Sequence, residues 1–245
     1  MSVLRWSECT RGELSAALPE EALVVLPIGA TEQHGPHLAT GTDALLATEI
    51  VDRAVPVARA RARAERALVI APTLSYGASD HHLPFGGTLS LSVETLLSVL
   101  VDIGRSVAAG GGRRLVIVNG HGGNQGVCHA AGSAISTRYA VAVAHLDYWS
   151  VLPPEPPTAP GHAGVFETSL VLGVRPDLVR DRHPRENLPS GPKVANAGVH
   201  SAAVWDDIDG YTDDPAQATA VDGKARLDLL VSEMALRLVE CARQL

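Results

Sequence analysis

Four short runs of Val, Ile, Leu and Ala punctuate the first part of the chain: Ala22–Ile28, Ala67–Ala71, Leu115–Val118 and Ala140–Leu146. Apolar residues fill them almost without a break. That pattern fits strands buried on both faces of a parallel sheet better than the alternation of a half-solvated strand. Helical spacing appears between them. In Val93–Val107 the residues Val93, Leu96, Leu97, Leu100, Val101 and Val107 recur on one helix face behind Ser92, a residue type suited to an N-cap. Gln125–Arg138 is small and alanine-rich. A last helix over Ala218–Arg243 carries Leu227, Leu230, Val231, Met234 and Leu238 in one stripe. The proline-rich stretch Pro153–Pro160 predicts a loop, and the run Ala58–Ala67, ARARARAERA, a solvated helix end. Strands alternating with helices predict an α/β protein, a three-layer α/β/α sandwich around a mainly parallel sheet with right-handed crossovers. Neither an internal repeat nor a compositional break divides the chain, so residues 1–245 are expected to form one domain.

The polar clusters change the picture more than the strands do. GATEQHGPH follows the first run, YGASDHH the second, NGHGGN the third and DYW the fourth. In a parallel sheet these loops leave the same carboxyl edge, where open α/β sheets bind ligands. One rim is therefore expected to gather His34, His37, His81, His82 and His121 with Glu32, Asp43 and Asp80.

Composition narrows the classes. The net charge is −7 with no basic stripe, which argues against a phosphate-binding surface for nucleic acid. No apolar run approaches the roughly 20 residues of a membrane span. Three scattered cysteines fit neither a disulfide framework nor a thiolate zinc site, and point to a reducing cytoplasm. The chain also lacks the G-x-S-x-G, H-E-x-x-H and GK[ST] signatures of other hydrolases and of phosphate loops.

Glu32 and His34 stand two apart, on one side of an extended chain, and Asp43 follows nine residues after His34 at the mouth of a helix. Two carboxylates and an imidazole form a mixed oxygen and nitrogen set suited to Zn²⁺ or Mn²⁺, with Fe²⁺ also compatible; an aspartate can bridge two ions. His121 lies within Asn119-Gly-His-Gly-Gly-Asn124, where Gly122 and Gly123 permit close approach of a substrate and Asn124 supplies an amide. His162 and Glu167 lie five residues apart in HAGVFETS, with Glu167 expected in the first turn of a helix. Any one of these histidines alone reads better as a hydrogen-bonded structural residue. His37, His81 and His82 keep that structural reading, and a metal site rests on the three motifs together.

GATEQHGPHL…TD, NGHGGNQ and HAGVFETS resemble the creatininase (creatinine amidohydrolase) family, in the family's order and over nearly the whole chain. The resemblance implies a hexameric α/β/α metallohydrolase with two divalent ions per subunit. It implies that Glu32 and His121 hold one ion and His34 the other, with Asp43 bridging and Glu167 completing the coordination of the second ion. Creatininase proper carries an acid two residues beyond the loop histidine, where this chain has Gly123, which leaves Glu167 as the remaining carboxylate. The implied reaction is attack of a metal-bridging hydroxide on an amide or cyclic-amide C–N bond, with His162 protonating the departing nitrogen.

The expected substrate is a small amide outside the ordinary peptides, with Trp149 closing over it. A second tryptophan of creatininase proper would fall at Thr158, which speaks against creatinine itself. The alternatives are a peptide-processing or formamide-hydrolysing relative, and a non-catalytic metal-binding oligomeric scaffold.

Overall fold

The computed structural model describes residues 3–19, 22–62, 67–152, 161–186, 194, 199, 201 and 203–245. The strands are β1 (Val3–Arg5), β2 (Leu23–Ile28), β3 (Leu68–Ile70), β4 (Arg114–Asn119) and β5 (Ala142–Asp147), all parallel in the order β1-β3-β2-β4-β5. The helices are α1 (Arg11–Ala17), α2 (Thr42–Ala62), α3 (Val93–Ala109), α4 (Gln125–Tyr139), α5 (Val165–Val174), α6 (Ala203–Asp207) and α7 (Ala220–Gln244). The α/β/α architecture and the parallel sheet read from the sequence are those observed. β1 escaped the sequence reading because it has three half-buried residues at a sheet edge, too few to show a period.

Successive strand residues feed two cores. Leu23, Val25, Val116 and Val118 pack with α2, α5 and α7, while Val24, Leu26, Ile28, Leu115 and Ile117 pack with α3 and α4. Every residue of β2 and β4 is buried, which explains their uninterrupted apolar runs. Pro27 in central β2 is tolerated for a local reason. Its carbonyl accepts Leu74 N–H on the β3 side, where β3 has already ended at Ile70, so the missing proline N–H forfeits no ladder bond.

Ser92 caps α3 through Thr95 N–H, as its position implied. Thr219 performs the same service for α7, which therefore starts at Ala220 rather than Ala218. Ala58 is fully buried on α2, so the start of the ARARARAERA run belongs to the core and not to a solvated helix end; residues 63–66 lie outside the described residues. The loop expected over Pro153–Pro160, with Thr158, also lies outside them.

The topology sets the site. From β2 the chain enters α2 on one face of the sheet, and from β4 it enters α4 on the other. Adjacent strands whose helices diverge open a crevice at their carboxyl ends. Gly29 and Gly120, at those two ends, let α2 approach closely: a Cβ on Gly29 would fall 2.3 Å from Ala44 N, and one on Gly120 2.7 Å from Asp43 O. Asp43 is thereby pushed into the crevice.

Candidate metal centre

Six titratable side chains meet in that crevice, almost without solvent: Glu32 and His34 are 0% exposed, Asp43 2%, His121 4%, Glu167 5% and His162 8%. They come from the loop after β2, the first turn of α2, the loop after β4, and the start of α5 with the turn before it. All six were expected from the sequence.

Asp43 is central. Its Oδ1 lies 3.0 Å from His34 Nε2 and its Oδ2 3.2 Å from His121 Nδ1. Glu32 Oε1 lies 3.2 Å from His121 Nδ1 and 3.4 Å from His162 Nδ1. Glu167 Oε2 lies 4.0 Å from the same His34 Nε2. Ala163 N–H donates to the same Glu167 oxygen at 2.6 Å.

In three of the rings the other nitrogen is spent on a backbone carbonyl. His34 Nδ1–H donates to Glu32 O at 3.1 Å, His121 Nε2–H to Ala78 O at 3.1 Å, and His162 Nε2–H to Gln33 O at 2.9 Å. These bonds fix each tautomer and leave one ring nitrogen facing the carboxylates, the arrangement that orients metal-binding histidines.

The charge is unresolved by protein alone. Glu32 Oε1 and Oε2 and Asp43 Oδ2 are buried and receive no hydrogen bond, a costly state for carboxylate oxygens unless cations stand among them. Without other cations the protons fill that role. Burial would lower the His34 imidazole, yet Asp43, Glu167 and Glu32 hold it protonated up to about 10. Against the same burial, Glu32 and Asp43 raise His121 well above its usual value. Burial would raise Asp43, but His34 and His121 hold it well below the carboxylate range. Burial lifts Glu167 to about 7. Burial, then His34 and His82, push His162 well below its ordinary value. The residues fit divalent ions: orphaned carboxylate oxygens, unspent imidazole nitrogens, and mixed O/N donors with no sulfur. Glu32–His34–Asp43 and His34–His162–Glu167 each bring three donor atoms within 4.8 Å of one another.

Other sequence candidates stand differently. Asn124 is fully buried, with its oxygen accepting Ala78 N–H and its nitrogen donating to Gly29 O and Asn119 Oδ1. It ties three loops together and has no group left for a substrate. Gly122 is exposed and open. At Gly123 a Cβ would lie 2.3 Å from Ala78 O and 2.4 Å from His121 Nε2, so no acid fits there. Trp149 packs edge-on to Tyr148, 5.2 Å between centroids, against the hydrophobic core on the α7 side.

Sequence reasoning missed Gln33, whose amide nitrogen contacts His82 Nδ1 at 2.8 Å and donates to Gly210 O. It missed Trp205, whose ring lies 4.6 Å from His82 and 5.6 Å from His162. A glutamine flanked by two ligand-type residues, and a tryptophan 38 positions beyond Glu167 in a motif-free stretch, carry no signal in one sequence. His82, assigned only a structural part, is fully buried with Nε2 3.7 Å from Glu32 Oε1.

Known proteins resemble this chain in sequence and in fold. Residues 7–238 match the family described as creatinine amidohydrolase. The chain is 38% identical over 243 residues to a mycofactocin precursor peptide peptidase of Mycobacterium tuberculosis (strain CDC 1551 / Oshkosh), covering 92% of this chain and 90% of that protein. It is 35% identical over 198 residues to a creatinine amidohydrolase of Pseudomonas putida, covering 69% and 72%. A solved structure described as "Creatininase Mn" superposes with a TM-score of 0.79 at 30% identity, over 98% of each chain.

Proposed function

The chain belongs to the creatininase family, and on that premise we propose that it is a metal-dependent amidohydrolase acting on an amide bond of a peptide-derived substrate. One observation carries the hydrolytic reading: Asp43 turns its two oxygens to two different imidazoles, His34 and His121, in a solvent-free crevice. A carboxylate so placed is built to bridge two cations. In this reading Glu32, His121 and Asp43 hold one ion, and His34, Asp43 and Glu167 the other, with Mn²⁺ or Zn²⁺ favoured by the donor set. Such ions supply Lewis acidity, lowering the pKa of water and polarising a carbonyl.

The protein's own part is to place and move protons. His162 keeps its proton on Nε2, bonded to Gln33 O, and turns Nδ1 inward beside Glu32. Burial keeps this ring neutral before reaction. It therefore acts first as base at Nδ1, taking the proton of the attacking water. It then returns that proton to the departing nitrogen. The proton-donor role expected from the sequence thus gains a preceding step. Gly122 and Gly123 keep the mouth beside His121 free of side chains.

Peptide-derived substrates are preferred over small cyclic amides on two grounds. The similarity to the peptide peptidase runs over 92% of the chain, against 69% for the creatinine amidohydrolase, and the half-buried Trp149 packs against the core and the Tyr148 ring. We place the protein, as one creatininase-like domain assembled into hexamers, in a reducing cytoplasm; Cys9, Cys128 and Cys241 are all free thiols. Among the described residues no helix is long and apolar enough to cross a membrane. The test is to strip the protein of metal, reload it with Mn²⁺ or Zn²⁺, and assay acyl-dipeptides, lactams and formamides. Turnover of acyl-dipeptides is expected. Full loading of two ions without turnover of any member would establish the scaffold alternative instead.

A further inference from the structure

Trp205 is placed where neither motif nor spacing would put an aromatic residue. Its ring lies 4.6 Å from that of His82, nearly perpendicular, 5.3 Å from His81 and 5.6 Å from His162. The indole is only half-buried. On the same side, the 3-10 turn Asp80–Phe85 that carries His81 and His82 ends in Phe85, with ring centroids 6.3 Å from His82, and exposes Leu83 by 50%. The floor of the crevice is charged and the rim above it is aromatic and apolar.

That rim is anchored. A five-residue helix such as α6 does not persist on its own. Here Gly210 N–H donates to Trp205 O at 2.8 Å, and Gly210 O accepts the Gln33 amide. Thr212 N–H donates to His162 O at 2.9 Å. The Arg185 guanidinium donates to Ile208 O at 2.7 Å and Tyr211 O at 2.6 Å, while lying 3.6 Å above the Tyr211 ring. The segment bearing Trp205 is thus tied to Gln33 and His162, the two residues that organise the proton-transfer side of the site.

We propose that Trp205 is the specificity-determining wall of the substrate pocket, selecting amides that carry a flat or aromatic side chain next to the scissile bond. This rests on the hydrolase reading for its reaction, though not for its binding preference. Among the described residues the indole's ring contacts are with His81, His82 and His162, and what it offers a ligand is flat apolar area with an edge and face geometry that favours another ring.

The probes are acyl-dipeptides with glycine, leucine or phenylalanine beside the scissile amide, assayed with the metal-loaded full chain. The wild type is expected to favour phenylalanine over glycine. Trp205→Ala is expected to lower that ratio of kcat/KM at least about fivefold, chiefly through KM, with two ions still bound, and Trp205→Phe to restore most of it. An unchanged ratio in Trp205→Ala, or equal losses on both substrates with no rescue by Trp205→Phe, would overturn the proposal. Calorimetric titration of the same peptides into the metal-loaded protein separates the two readings. Tighter binding of the phenylalanine probe, lost in Trp205→Ala, with no turnover anywhere, would sink the hydrolase and keep the wall. Equal binding of glycine and phenylalanine probes by the wild type would sink the wall whatever the turnover.

Discussion

His34 Nε2 sits 3.0 Å from Asp43 Oδ1 in a crevice where both side chains are essentially sealed from water. Nine residues apart in sequence, they meet because α2 begins immediately after the loop and is drawn against the strand ends at Gly29 and Gly120. The second Asp43 oxygen then faces His121.

Replacing that carboxylate removes the group shared by both proposed ion sites. Asp43→Ala is expected to lose both ions and all turnover, as read by elemental analysis after dialysis and by activity. Asp43→Asn, of the same shape, should lose at least one ion because an amide bridges poorly. Two equivalents retained in Asp43→Ala would refute the bridge.

His162→Ala should separate metal binding from chemistry. In the proposed mechanism its Nδ1 carries the proton and the five proposed ligands remain, so two bound ions and a kcat lowered by about 10²–10⁴-fold are expected. A kcat unchanged from wild type would reduce His162 to an orienting role.

Gly123→Ala tests the crowding at the β4 loop. The added methyl meets the Ala78 carbonyl and the His121 ring at 2.3 and 2.4 Å, so the loop must shift and His121 with it. Weaker binding of one ion of the two is the expected result, seen as biphasic release on titration with a chelator. Wild-type affinity at both sites would show that the loop absorbs a side chain freely.

His37 supplies a pH signature. It is buried, hydrogen-bonded through Nε2 to Thr168 Oγ1, and burial, with His34, Arg182 and Arg185 nearby, lowers it from 6.5 to about 4. The unfolded chain therefore takes up this proton near pH 6.5 and the folded chain only near 4. The stability His37 contributes is present above 6.5 and drains away as the pH falls towards 4. Urea midpoints between pH 7 and 5 should fall less steeply for His37→Asn than for wild type; parallel curves would exclude the assignment.

The sequence by itself determined the layers and which polar residues meet at the site. Runs such as Leu23–Ile28 are apolar throughout because both faces of β2 are covered, and that burial is written residue by residue. Glu32, His34, Asp43, His121, His162 and Glu167 were legible because they sit in dense motifs at strand ends, and topology sends those ends to one edge. Tertiary structure alone decided the rest. It made Asn124 a strut, because three loops converge on its amide. It packed a half-buried Trp149 against the core and brought Trp205 to the rim, since ties from Gln33, Arg185 and His162 reach across more than twenty residues of chain to hold that segment. Periodicity and spacing report a residue's local surroundings; which distant partner satisfies its polar atoms is settled only when the chain closes on itself.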